Sequence, residues 1–539
     1  STAWGDYDND GYIDLVISGY IAPNSPKTVL YRNNGDNTFT EKSNITFVDV
    51  ALSSLAWGDY NNDGKLDLLV TGRSTNGFVS KLYKNNGDDS FTEQTQINLK
   101  PVSQGSVAWG DYDNDGYLDI LLTGTSGFLR TEAKIYRNNG DDSFTEQSHI
   151  KLTGVYHSSA AWGDYNNDGY LDIVLTGYDG NIPISKIYKN NGDNSFTEQT
   201  NISLVGVNNG SAAWGDYDND GFLDLILTGT DLNNVSTSKI YRNDQLNNFI
   251  EQSDISLPGI RISSSCWADY DNDGDLDILL SGNTGSSRIT KIFRNNVPYS
   301  NQLPSAPANL KTEIIGNIVT LKWNKAFDAE TPAQGLTYNL QIKSFPTGSY
   351  VLSPMSDSAA GNRRLISIGN ANHDTFFVIN DLPPGIYEWS VQSIDNSFAG
   401  SNFSEKSYFH YGGVKVIPEG LLNQNTNTLN LRDTIKAYLK KLLAPHEIVD
   451  SAVAVVDSIT FIADFHFTNA ASGNYYLVIK HRNSIETWSN SSGVNFIEGT
   501  PLTYDFTSDS TQAYGGNLTR KGLYWCIFSG DINQDGAIK

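Results

Sequence analysis

The apolar residues of this chain fall in short runs that stop at clusters of glycine, asparagine and aspartate. Around residue 120, "LDILLTG" is apolar over successive positions, "AKIYRN" is mixed, and "SFTEQ" is brief, with Gly and Asn between them. Short runs rich in β-branched and aromatic residues and bounded by turn formers predict strands. With the segment ending in "AW", each unit holds four short strands, and then the unit repeats. Tryptophans at 4, 57, 109, 162, 214 and 267 set a period of 52 or 53 residues, with nothing inserted or lost between them. Four strands per fixed period are the content of one propeller blade, and six blades are visible.

The pattern changes at "VPYSNQLPSAPANL", so residues 1–297 form the repeat region and 298–304 a linker. Beyond it, "VTLKWNKAFD" places Trp323 on a strand, and "LPPGIYEWSVQSID" sets Tyr387 just after a Pro-Gly turn. A core tryptophan paired with a tyrosine corner marks a β-sandwich over 305–411. Residues 412–529 read as a second sandwich. Within it, Ile435, Tyr438, Leu439 and Leu442 also fit helical spacing, but the all-β surroundings favour a strand over 433–443. The expected fold class is all-β, with six visible propeller blades followed by two β-sandwich domains.

Composition agrees, with 29 Tyr, 23 Phe and 48 Gly among 539 residues. The net charge of -24 argues against nucleic acid or an anionic membrane surface as partner, since neither would release counterions to this chain. No apolar stretch approaches the ~18 residues of a membrane span. Two cysteines make no disulfide framework. Cys266 stands where the other repeats have alanine, which reads as a small buried thiol. The chain starts inside a repeat and stops inside "GDINQDGAIK", the expectation for a piece of a longer protein.

The acidity is concentrated. Of 61 acidic residues, 23 lie in six nine-residue loops. Positions 1, 3, 5, 7 and 9 are Asp6, Asp8, Asp10, Tyr12 and Asp14 in the first, and Asp59, Asn61, Asp63, Lys65 and Asp67 in the second. The third has Asp111, Asp113, Asp115, Tyr117 and Asp119, and the fourth Asp164, Asn166, Asp168, Tyr170 and Asp172. The fifth has Asp216, Asp218, Asp220, Phe222 and Asp224, and the sixth Asp269, Asp271, Asp273, Asp275 and Asp277. Position 6 is always glycine, and position 7 varies, as it can where only its main-chain carbonyl is a ligand. Five or six oxygens around a tight turn suit Ca²⁺ better than Mg²⁺, and the lack of His or Cys excludes Zn²⁺. The loop is no EF-hand, because position 12 is apolar (Ile17) where a bidentate Glu would stand. Six ions, about one per blade, would bring the charge from -24 to about -12.

Motif and period together resemble the FG-GAP or VCBS repeat, the calcium-binding blade of integrin α-subunit propellers and of many secreted bacterial proteins. The resemblance implies that the residues above are the ligands, with Asn61 and Asn166 weakening loops two and four. Propellers of that family often have seven blades. The sixth unit lacks its "FTEQ" strand, so the ring closes with an upstream strand or needs a further blade. Residues 305–411 resemble a fibronectin type III domain, without an Arg-Gly-Asp tripeptide. "YYLVIKHRNSIETWS" and "YWCIFSGDINQDG" resemble a C-terminal module of secreted Bacteroidota-like surface proteins that leads into dockerin-like calcium repeats. Asp531, Asn533 and Asp535 would begin such a site in 530–539, although Lys539 holds the ninth position. A secreted, surface-associated protein follows from these resemblances.

Three classes of function are weighed. The seven histidines are scattered, and HExxH, nucleophile elbow and phosphate-binding loop are lacking, so an enzyme is not expected. His481 with Arg482 reads as a strand-end charge network. A multivalent lectin would use inter-blade or loop-face sites, with Tyr7, Tyr60, Tyr112, Tyr165, Tyr217 and Tyr270 as candidates or, more simply, as packing. A surface protein of adhesion or assembly, with a protein, a glycan or copies of itself as partner, is the expectation adopted, because open sheet edges accept strands.

Overall fold

The computed structural model describes the chain except residues 129, 316–317, 381, 499–500 and 531–539. The possible dockerin-like motif lies outside the described residues. Six antiparallel sheets occupy the repeat region. The first runs in order through Thr2–Gly5, Asp14–Ala22, Ser25–Asn33 and Phe39–Glu41. Four more four-stranded sheets repeat this order, and the sixth has three strands, Arg261–Ala268, Asp277–Asn283 and Arg288–Phe293. The second strand of the inner units is buried on both faces, as in Asp67–Ser74, which explains its continuous apolar run.

Neighbouring sheets meet through one joint, used five times. The indole of each unit lies over the glycine after the preceding unit's tryptophan. A Cβ added to Gly58 would sit 2.6 Å from Trp109, and one on Gly163 would sit 2.6 Å from Trp214. Only glycine admits so close an approach. The Trp109 Nε1 donates to Ala56 O at 3.2 Å, and Trp267 Nε1 to Ala213 O at the same distance. Tyr7, Tyr112, Tyr165 and Tyr217 stack on the next unit's indole, Tyr112 on Trp162 with centroids 6.3 Å apart and planes at 6°. Buried asparagines bolt the joint: Asn190 Nδ2 donates to Tyr112 O at 2.8 Å, and Asn243 Nδ2 to Tyr165 O at 2.8 Å.

The array therefore has two end faces. Trp4 is 46% exposed whereas Trp267 is 2%, and Tyr270 is 52% exposed whereas Tyr165 is 0%. In the sixth unit Ala268 replaces the joint glycine. Cys266 is exposed, contrary to the expected buried thiol, because no further indole covers that face.

Past the linker, Ala308–Ile315, Ile318–Asn324 and Phe376–Ile379 form one sheet. Tyr350–Leu352, Thr337–Phe345, Gly385–Ile394 and Ser407–Tyr411 form a second. Trp323 and Trp389 fill the space between them, and Tyr387 Oη donates to Pro383 O at 2.5 Å. In the last region Thr434–Lys441 is a strand, because Ile435, Ala437 and Leu439 are buried in alternation with exposed Thr434 and Lys436. It packs with Gly473–Lys480 around a separate core.

Candidate metal centres

Each acidic loop joins the first and second strands of its sheet, and its backbone folds around its own carboxylates. The first-position aspartate accepts two main-chain N–H groups: Asp6 Oδ1 from Asp10 N at 3.0 Å and Oδ2 from Gly11 N at 2.9 Å. The ninth-position aspartate accepts from the loop and from the third strand, as Asp14 does from Tyr7 N at 3.1 Å and Asn33 N at 2.7 Å. The same pattern recurs at Asp119 and Asp224. The fifth-position carboxylate takes the seventh residue's N–H, Asp115 from Tyr117 at 3.0 Å.

The third position is different. Asp8, Asp113, Asp218 and Asp271 each keep a buried Oδ1 without a protein partner. Around it, Asp6, Asp8 and Asp10 bring one oxygen each within 4.8 Å of one another, as do Asp111, Asp113 and Asp115, then Asp216, Asp218 and Asp224, then Asp269, Asp271 and Asp273. Burial pushes the Asp6 carboxyl up to about 6 and that of Asp14 to about 8. Asp119 and Asp224 are held well above the usual carboxylate range, again chiefly by burial. Crowded, desolvated carboxylates with an unused oxygen are unfavourable unless protonated or paired with a cation. An all-oxygen set of this kind fits a hard divalent ion such as calcium.

Asn61 and Asn166 take the third position in loops two and four, so only three carboxylates remain in each. The seventh-position residues Tyr12, Lys65, Tyr117, Tyr170 and Phe222 turn their N–H groups to the fifth-position carboxylate, which leaves their carbonyls as the free main-chain groups.

Sequence reasoning passed over the fourth position, asparagine in all six loops: Asn9, Asn62, Asn114, Asn167, Asn219 and Asn272. All six have φ between 55° and 58°, where asparagine is tolerated. The Nδ2 of Asn9 donates to Gly64 O at 2.8 Å in the next loop, and that of Asn62 to Gly116 O at 2.8 Å, so the loops are chained. An asparagine invariant among the repeats without a ligand role was the available signal.

The sandwich after the linker rests on this loop face. Ser353 N donates to Asn9 Oδ1 at 3.0 Å, Asn396 Nδ2 to Asn167 Oδ1 at 2.9 Å, and Ser397 Oγ to Asn219 Oδ1 at 2.9 Å. A Cβ on Gly64 would meet Val351 O at 2.5 Å, and one on Gly221 would meet Glu330 O at 2.0 Å. Position 6 is thus glycine in all six loops for its positive φ, and in the second and fifth also for this close approach. Between the two lies a cavity of about 200 Å³, lined in part by Asp59, Trp109, Asp111, Asp374 and Arg363.

Five of the six candidate tyrosines are buried in the joints and present no multivalent surface; only Tyr270, on the end face, is exposed. His481 Nε2 lies 3.2 Å and Arg482 Nη2 2.7 Å from Asp433, the charge network expected.

Comparison with known proteins follows the same repeat. The FG-GAP-like repeat model matches residues 6–70, 59–122, 126–175, 164–227 and 223–280, together half of the chain. The T-cell immunomodulatory protein of Rattus norvegicus is 27% identical over 233 residues, 42% of this chain and 37% of its own length. Cartilage acidic protein 1 of Xenopus tropicalis is 24% identical over 219 residues, 38% of this chain and 33% of its own. The matched part thus spans about a third of the length of these curated relatives. A solved fungal alcohol oxidase in complex with copper aligns over 76% of this chain and 99% of its own at 13% identity, with a TM-score of 0.32, too low to carry an argument. The repeated loops, the shared joint and the five family matches lead to one statement: the chain belongs to the FG-GAP-like repeat family.

Proposed function

We propose that the chain is an extracellular, calcium-stabilised, non-enzymatic protein of surface adhesion or assembly, whose six repeat sheets are blades of a propeller carrying about one Ca²⁺ per loop. The observation that carries this reading is the buried, unpartnered Oδ1 of Asp8, Asp113, Asp218 and Asp271 in four separate loops of one design. The same ligand set in many places is the pattern of a structural ion, since a catalytic metal needs an open position with a base beside it. Calcium at the millimolar levels found outside cells saturates even weak sites of this type.

The sandwich on the loop face is fibronectin type III-like. Supporting that reading are three- and four-stranded sheets around two tryptophans and the Tyr387 corner. Because this module covers the loops, the surface for a protein or glycan ligand, or for another copy, lies away from them. The last region is a module of bacterial surface proteins.

The test is thermal unfolding with calcium and after chelation, with light scattering alongside. An ion that binds only the folded state contributes about 4 kcal/mol at a thousandfold excess over its Kd, so chelation should lower the melting temperature by roughly ten degrees or more. Unchanged melting after verified metal removal overturns the proposal.

A further inference from the structure

The residue after the third strand's aromatic is basic in all six repeats, and its identity follows the third loop position. Arg32 donates from Nε to Asp8 Oδ2 and from Nη2 to Asp10 Oδ2, both at 2.5 Å. Arg137 forks in the same way across Asp113 and Asp115, both at 2.5 Å. Arg242 spans Asp218 at 3.1 Å and Asp220 at 3.8 Å, and Arg294 spans Asp271 at 2.8 Å and Asp273 at 2.6 Å. Where the third position is asparagine, the basic residue is lysine. Lys84 lies 3.8 Å from Asp63 and Lys189 3.2 Å from Asp168. Arginine accompanies aspartate four times and lysine accompanies asparagine twice, without exception.

A guanidinium is a rigid fork that needs two acceptors, whereas an ammonium is a point charge that one carboxylate satisfies. In the first and third loops the fork hydrogen-bonds Oδ2 of both carboxylates, and in the fifth and sixth the guanidinium stands within ion-pair distance of the same two atoms. That leaves Oδ1 of the third-position aspartate turned inward and unpartnered, in these four loops. The four acidic clusters able to share an ion lie in the same four loops. We propose that Arg32, Arg137, Arg242 and Arg294 are positioning residues that clamp the third and fifth carboxylates in ligating orientation, so that the repeat region holds four tight calcium sites and two weaker ones marked by Lys84 and Lys189. This rests on the calcium reading above. It opposes the alternative in which the arginine is a rival cation that weakens binding.

Calorimetric titration of the full chain with calcium decides. The wild type should take up four ions tightly and two weakly. Arg137→Lys keeps the charge and removes the fork; it should move one ion to the weak class with about a tenfold loss of affinity, the usual cost of losing an outer partner of a metal ligand. Asn61→Asp with Lys84→Arg should move one ion the other way, giving five tight sites, and Asn61→Asp alone should gain less. This gain needs no destabilised variant. Six equivalent sites in the wild type, an unchanged or raised affinity in Arg137→Lys, or full gain from Asn61→Asp alone would overturn the clamp. A wild type that binds no calcium would instead overturn the calcium reading.

Discussion

Single residues set the spacing between sheets. Gly58, Gly110 and Gly163 admit an indole where a methyl group would overlap it. Gly163→Ala should cost about 1–3 kcal/mol through overpacking, read as a lower chemical-denaturation midpoint. Asn190→Ala removes a donor from the buried Tyr112 carbonyl and from Leu171 O. An orphaned buried acceptor costs about 1–3 kcal/mol, and the nearly isosteric Asn190→Asp should fare no better, since a carboxylate cannot donate. Both residue types were in plain view in the sequence. The joint glycine was readable as a Trp-Gly pair, but its reason was not, because the tryptophan it meets lies a whole repeat away.

At the level of strands and loops, periodicity was informative wherever side chains alternate against one local partner. Four strands per unit, the missing strand of the sixth, and a strand over Thr434–Lys441 were all legible. Contacts between modules were not, since Ser353 and Asn9 are 344 residues apart and leave no local pattern. The acidic loops were found from ligand spacing, while their basic partners 21 to 24 residues on were missed, because a lone arginine or lysine on a strand looks like surface charge. The loop asparagines also form the seat of the following sandwich. Asn396→Ala with Ser397→Ala removes two of its buried donors to that seat. The double variant should leave the repeat region folded but increase amide exchange in the fourth and fifth loops, measured by mass spectrometry; unchanged exchange would mean these bonds do not hold the module down.

On the scale of the whole molecule, stability is divided among like joints in series, so each sheet depends on its neighbours. The first and sixth sheets have one neighbour in the array, and exchange protection should rise from them towards the third and fourth. A flat profile would show that something else closes the ends. Charge follows the same layout, with 23 of the 61 acidic residues in the six loops. Ala268 gives the last sheet a further property. Its methyl group stands where the five other units leave room for an indole, so a ring placed against this face as in the inner joints would overlap it. The sixth sheet thus lacks the glycine seat through which the other sheets are joined.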